Sequence, residues 1–313
     1  MDALNPLVGF SKALADVVQQ ASPAVVSIFG RHHFPSSGIH WQSDIVLTAQ
    51  HTLEREEDIP VRLANGQTPT ARVIGRDPGS DLAVLKLEVS SGGAGGQAFS
   101  PLPVANLDNL SVGSLAIALA RLGEKGVSAS VGVVGSLLEG WPTRRGPRIE
   151  RVIRPDIRLY PGFSGGPLLD PLGHWIGMNT SRLGRRLDFT LPADVIQRAA
   201  SQLLEKGRIS RGYLGVGMQS VRLPEALQNS LNLSTVAGVI LISLETGGPA
   251  EQAGLLIGDV LVALEGVPVT DTYEVLALLG PERIGHTVQV QVIRAGALVE
   301  VSLVVGERPW GEA

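Results

Sequence analysis

Residues 162–167 read Gly162-Phe163-Ser164-Gly165-Gly166-Pro167, and the reading of this stretch decides the fold. The letters satisfy G-x-S-x-G, the sharp turn that exposes a serine at the top of an α/β-hydrolase sheet, with an acid and a histidine later in the chain. That turn must open a helix. Ser164 is followed instead by Gly-Gly-Pro-Leu-Leu-Asp, a poor helix start, and the later histidines, His174 and His286, have no supporting context.

The competing arrangement places a histidine first, then an aspartate, then the serine. Upstream, Thr48-Ala49-Gln50-His51 closes the apolar run at 44–47, and Asp81-Leu82-Ala83-Val84-Leu85 opens another. Each residue type has a chemical reason to be there. A serine hydroxyl is a poor nucleophile until an imidazole takes its proton, and a buried carboxylate orients that imidazole and stabilises its charged form. Glycines around Ser164 let the backbone N–H groups of residues 162 and 164 converge on a developing oxyanion, worth about 3–4 kcal/mol per donor. Asp77 competes for the carboxylate role, but it precedes Pro78-Gly79 in a turn context, so Asp81 is preferred.

Outward from these motifs, short apolar runs at 25–29, 44–49, 70–74, 82–87, 115–120, 128–134 and 175–179 are divided by Gly, Pro, Asp and Ser. Runs of this length and spacing predict an antiparallel barrel or sandwich. Residues 12–20 predict a short amphipathic helix, and 91–101 a flexible surface loop or disordered insertion. Apolar residues from Val195 to Leu204 recur at helical spacing between Pro192 and Gly207, predicting one closing helix. A smaller unit follows from Tyr213, with runs at 213–216, 238–244, 259–264, 287–293 and 298–305 and a helix capped by Asp271.

Composition agrees with this organisation. The 313 residues suggest about two domains at one per ~150 residues. Charged residues are 18%, apolar residues 44%, with 38 Gly and 20 Pro, a turn-rich strand mixture rather than a disordered one. Cysteine is absent, which excludes disulfides, thiolate metal sites and a cysteine nucleophile. A net charge of −4 gives no reason to expect nucleic acid. No run is long and apolar enough for a membrane span, and the first twenty residues do not read as a secretory leader. His32, His33 and His40 lack a carboxylate at ligand spacing, so no metal is expected.

The motifs resemble the HtrA/Deg family, trypsin-like serine proteases carrying a PDZ domain. The resemblance rests on TAQH at 48–51, GRDPGSDLAVLKL at 75–87, GFSGGPL at 162–168, WIGMNT at 175–180, DFTLPADVIQ at 188–197 and RGYLGV at 211–216. It implies a mainly β chain: a chymotrypsin-like double β-barrel over 23–206 after an N-terminal segment 1–22, then a small α+β PDZ domain over 213–306. It assigns His51 as general base, Asp81 as its orienting carboxylate and Ser164 as nucleophile, with Gly162 and Ser164 as the oxyanion hole. The specificity pocket would involve Arg158 and Leu159. Arg158 stands where trypsin has an aspartate, so cleavage is expected after small or medium apolar residues. Phe163 and Tyr160 depart from the family's usual Asn, and a bulky ring at 163 threatens to close the oxyanion hole.

The resemblance further implies ATP-independent cleavage of unfolded or damaged proteins, without cofactors, and a homotrimer as smallest assembly. Phe10 is the one aromatic before the barrel. A periplasmic or envelope location is the family expectation. The PDZ domain would capture C-terminal peptides on the loop Tyr213-Leu214-Gly215-Val216, with Leu214, Val216 and Leu276 as the side-chain pocket. The second expectation, motivated by Phe163 and Tyr160, is a closed or inactive protease-like scaffold or holdase that binds peptides. Asn109-Leu110-Ser111 and Asn179-Thr180-Ser181 match a glycosylation acceptor pattern, a context the resemblance does not favour.

Overall fold

In the computed structural model, which describes residues 5–32, 34–88, 100–141, 149–183 and 188–308, the chain divides into two compact units, one reaching Ile209 and one starting at Ser210. His33 and most of the expected loop at 91–101 lie outside the described residues.

The first unit holds two closed six-stranded antiparallel barrels. The first is built from β1 (Val25–Ile28), β2 (Ser36–Gln42), β3 (Ile45–Ala49), β4 (Ile59–Arg62), β5 (Thr70–Asp77) and β6 (Leu82–Leu87), in the order β1-β2-β3-β6-β5-β4. The second uses β7 (Leu115–Arg121), β8 (Val127–Trp141), β9 (Ile149–Asp156), β10 (Pro167–Leu169), β11 (Trp175–Thr180) and β12 (Phe189–Pro192), in the order β10-β11-β12-β9-β8-β7.

Continuous apolar runs, rather than alternating ones, follow from this arrangement. Strand side chains alternate between faces. In β3, Val46 enters the first barrel's own core while Ile45, Leu47 and Ala49 join the core between the barrels. In β7, Ala116, Ala118 and Ala120 fill the second barrel while Ile117 and Leu119 face the shared core. Both faces are buried, so both must be apolar.

Near the chain's start, two elements differ from expectation. The N-terminal helix α1 runs Pro6–Ala21, beyond the 12–20 periodicity, because Asn5 caps it by accepting the Leu7 N–H at 3.0 Å and Pro6 suits the first turn. Strand β2 has no apolar signature at its start. Ser36 and Ser37 are nevertheless fully buried: the Ser36 hydroxyl donates to Thr52 Oγ1 (3.0 Å) and Ser37 to the Gly162 carbonyl (2.7 Å). The closing helix α2, Ala193–Lys206, begins after Pro192 and stops at Gly207, whose φ of +70° allows its N–H to reach the Leu203 carbonyl.

The second unit contains β13 (Gly212–Tyr213), β14 (Val216–Arg222), α3 (Glu225–Ser230), β15 (Ala237–Leu244), α4 (Pro249–Gln252), β16 (Val260–Leu264), β17 (Val267–Pro268), α5 (Thr272–Ala277), β18 (Thr287–Arg294), β19 (Ala297–Val304) and β20 (Gly306–Glu307). Its main sheet runs β14-β15-β16-β18-β19, with β17 on β16, and β13 pairs β20. The run at 213–216 is two strand ends rather than one strand, broken where Gly215 takes a φ of +74°. Asp271 caps α5 by accepting the Glu274 N–H at 2.8 Å.

One ion pair anchors this unit. Asp259 is 2% exposed and accepts from Arg294 Nε (2.9 Å) and Nη2 (2.7 Å), while its second oxygen also takes the Leu256 N–H (2.8 Å). The Arg294 hydrogen bond holds the carboxyl below its ordinary value. A lowered folded pKa means stability that is present above the unfolded value of about 3.9 and lost as pH falls through the lowered one. Asp259→Asn is expected to lower the second unit's stability by about 2–4 kcal/mol at neutral pH and to remove this carboxylate's share of its loss below pH about 4. Amide hydrogen exchange in β16 and β18 reads both effects. Equal protection in the two proteins would contradict this account.

Candidate active site

His51 and Asp81 meet because β3 pairs with β6. The register sets Ala49 opposite Leu82, so the turn after β3 and the turn before β6 lie side by side, and the Gln50 N–H donates to the Asp81 carbonyl at 2.9 Å. Asp81 has a φ of +59°, a left-handed conformation that aspartate tolerates better than most residues. Its carboxylate is 1% exposed and three donors satisfy it. Oδ1 accepts the His51 backbone N–H (2.9 Å); Oδ2 accepts the His51 Nδ1–H (2.7 Å) and the Thr180 hydroxyl (2.5 Å). With Nδ1–H committed to Asp81, His51 Nε2 is left as an acceptor. Asp77, the competing carboxylate, instead holds its own turn through the N–H groups of Gly79 and Ser80 and the Ser80 hydroxyl.

Ser164 lies on the loop between β9 and β10, which the first barrel grips. The buried Ser37 hydroxyl donates to the Gly162 carbonyl and accepts the Arg121 N–H (3.0 Å); the Ser37 N–H donates to the Ser164 carbonyl (3.2 Å). Gly162 and Gly165 have φ of +96° and +86°. A side chain at 165 would run into the Ser37 carbonyl and the Thr48 hydroxyl, so glycine is required twice over. The N–H groups of Gly162 and Ser164 donate to no acceptor among the described residues, whereas Phe163 N–H donates to the Tyr160 carbonyl (3.1 Å).

The Phe163 ring, 2% exposed, points into the second barrel's core among Ala116, Ala118, Ile157 and Leu168. It therefore packs away from the loop's polar face. Tyr160 is half-exposed, with the Arg158 guanidinium 5.0 Å from its ring centre. Leu159 packs partly against the same core as Phe163. Asp188 accepts the Leu159 backbone N–H, and burial pushes its carboxyl above the ordinary value.

Two residues escaped the sequence reading. Thr180 is fully buried and supplies the third donor to Asp81. Ser181 Oγ stands 3.5 Å from His51 Nε2 and 3.4 Å from Ser164 Oγ. The signal was present, since WIGMNT at 175–180 marks the strand, but its end resembled a glycosylation acceptor. Asn179 is fully buried, its amide donating to the Pro167 carbonyl (3.1 Å).

In the second unit, Tyr213, Leu214, Gly215, Val216 and Leu276 come together around a cavity of about 120 Å³. Met218, Leu279, Arg211 and Arg308 also line it, and the sequence reading did not single them out. Leu214 belongs to the unit's core, while Val216 packs only partly against it. Strand β14 is an edge of the sheet beside this cavity.

Among the described residues, no helix is long and apolar enough to cross a membrane, and no group of His, Cys, Asp and Glu gathers as metal ligands do. Residues 36–178 match the trypsin-like peptidase domain family and residues 212–305 the PDZ domain family. A probable periplasmic serine endoprotease DegP-like from Pseudomonas fulva is 30% identical over 269 residues, covering 84% of this chain and 54% of the relative. Its counterpart from Hahella chejuensis is 31% identical over 272 residues, covering 84% and 55%. The chain thus spans about half the length of the curated relatives it matches. A solved HtrA-type protease AlgW with tripeptide superposes with a TM-score of 0.73 at 27% identity, covering 94% of this chain and 97% of that one. A serine endoprotease from Yersinia pestis, 24% identical with a TM-score of 0.74 and covering 94% and 98%, shares the fold. With both domains matched in this order, the chain belongs to the HtrA/Deg family, a trypsin-like peptidase domain followed by a PDZ domain.

Proposed function

We propose that this chain is a serine endopeptidase that cleaves unfolded or damaged proteins, with His51, Asp81 and Ser164 as its triad. The observation that carries the reading is the buried Asp81 carboxylate accepting the His51 Nδ1–H, with His51 Nε2 and Ser164 Oγ both within 3.5 Å of the one Ser181 hydroxyl. In this mechanism Ser164 Oγ attacks the scissile carbonyl and His51 Nε2 takes its proton, later giving it to the leaving amine. Asp81 stabilises the imidazolium. The unengaged N–H groups of Gly162 and Ser164 receive the oxyanion, each worth about 3–4 kcal/mol. The chemistry calls on no cofactor.

The domain limits follow the same reading: an N-terminal segment 1–22, a protease domain over 23–206 and a PDZ domain over 213–306. The cavity at Tyr213–Val216 and Leu276, beside the edge strand β14, takes a C-terminal peptide as an added strand. Arg158 stacks on Tyr160 and Leu159 is apolar, which supports cleavage after residues such as Val, Ala or Leu. An envelope location, as the relatives' names suggest, and a trimeric assembly, as the family resemblance implies, complete the proposal. The closed-scaffold alternative is disfavoured, because the Phe163 ring is packed inward and leaves the Gly162 and Ser164 N–H groups unengaged.

A fluorophosphonate probe is expected to label the intact protein and to lose all labelling in Ser164→Ala, with casein hydrolysis lost in parallel. Absent labelling together with absent casein cleavage in the intact protein would turn the reading to the scaffold. Cleavage of a peptide library mainly after basic or acidic residues would overturn the specificity assigned to Leu159. Peptides with a free C-terminus are expected to bind the second unit at least tenfold more tightly than their amides, since the amide removes the captured charge. Equal affinities, measured by fluorescence anisotropy, would remove the peptide-reading role.

A further inference from the structure

We propose that Ser181 is a positioning residue that competes with Ser164 for the His51 Nε2 lone pair and so restrains the resting nucleophile; the inference rests on the triad reading above. The geometry is specific to this hydroxyl. Ser164 Oγ makes no direct hydrogen bond to His51 among the described residues, and its one side-chain neighbour at hydrogen-bonding range is Ser181 Oγ, 3.4 Å away. The Ser181 hydroxyl in turn reaches His51 Nε2 at 3.5 Å. It lies within 3.5 Å of both nucleophile and base.

The backbone holds it there. Thr180, the preceding residue, is fully buried and tied to Asp81, and its hydroxyl also accepts the Arg182 N–H at 3.1 Å. The residues on either side of Ser181 are therefore fixed through Thr180 to the carboxylate that orients His51. Because the His51 Nδ1–H points to Asp81, Nε2 offers a single in-plane lone pair. One hydroxyl can use it well. A relay in which Ser164 passes its proton through Ser181 would need two transfers, one between hydroxyls over 3.4 Å and one from hydroxyl to imidazole nitrogen over 3.5 Å, both longer than the spacing of about 2.7–3.0 Å at which such bonds are strong. Competition fits these long distances better than relay. Ser181 is exposed, so its side chain can swing aside when substrate fills the cleft.

The test compares the intact protein with Ser181→Ala, Ser181→Thr and Ser164→Ala, reading the second-order rate of fluorophosphonate labelling and kcat and KM on an unstructured peptide. Ser181→Ala is expected to label about three- to tenfold faster, the equivalent of one lost competing hydrogen bond, and to raise kcat with KM unchanged. Ser181→Thr keeps the hydroxyl and is expected to retain the slower rate. Labelling that is lost in Ser164→Ala but unchanged or slowed in Ser181→Ala overturns this proposal alone, a slowed rate being the mark of a relay. No labelling of the intact protein overturns the triad reading, and this proposal with it.

Discussion

The buried carboxylate of Asp81 is the constraint on which the first unit turns. An ionised carboxylate taken out of water is costly unless donors replace its hydration. Here the replacement comes from three groups on two other segments: the His51 N–H and Nδ1–H, and the Thr180 hydroxyl. The turn after β3, the turn before β6 and the end of β11 must therefore converge on one point. β3 and β6 belong to the first barrel and β11 to the second, so satisfying this one group also fixes how the two barrels meet.

Ser37 imposes a matching condition on the nucleophile loop. It lies on a first-barrel strand yet bonds the Gly162 carbonyl, the Ser164 carbonyl and the Arg121 N–H, all in the second barrel's sequence. These bonds fix the loop's carbonyls toward the protein, and the unengaged N–H groups belong to Gly162 and Ser164. Gly165 allows the approach, because any side chain there would overlap the Ser37 carbonyl. Base and nucleophile are thus positioned by separate networks that share the β2–β3 region. The second unit solves its own problem differently, with Arg294 compensating the buried Asp259.

Much of this was legible in the residues. The three motifs around His51, Asp81 and Ser164 stand out because each joins a reactive side chain to an apolar strand or a glycine turn. Helix α2 is bracketed by Pro192 and Gly207, both of which act through local backbone geometry. What escaped depends on long-range partners. Ser36 and Ser37 carry no apolar signature, and their burial depends on the distant Thr52 and Gly162 as hydrogen-bond partners. Thr180 and Ser181 look like a strand end until Asp81, His51 and Ser164 are placed around them. The direction of the Phe163 ring is likewise a packing outcome, decided by the space among Ala116, Ala118 and Leu168.

The measurement that bears most directly on the central claim is the labelling rate of Asp81→Asn at neutral pH. An asparagine preserves the shape of the site but offers His51 an amide that favours the wrong imidazole tautomer. Under the proposed mechanism, fluorophosphonate labelling of Ser164 falls by about 10⁴, the scale of the corresponding loss in a related triad. A folded Asp81→Asn protein that labels at the rate of the intact chain would contradict the account.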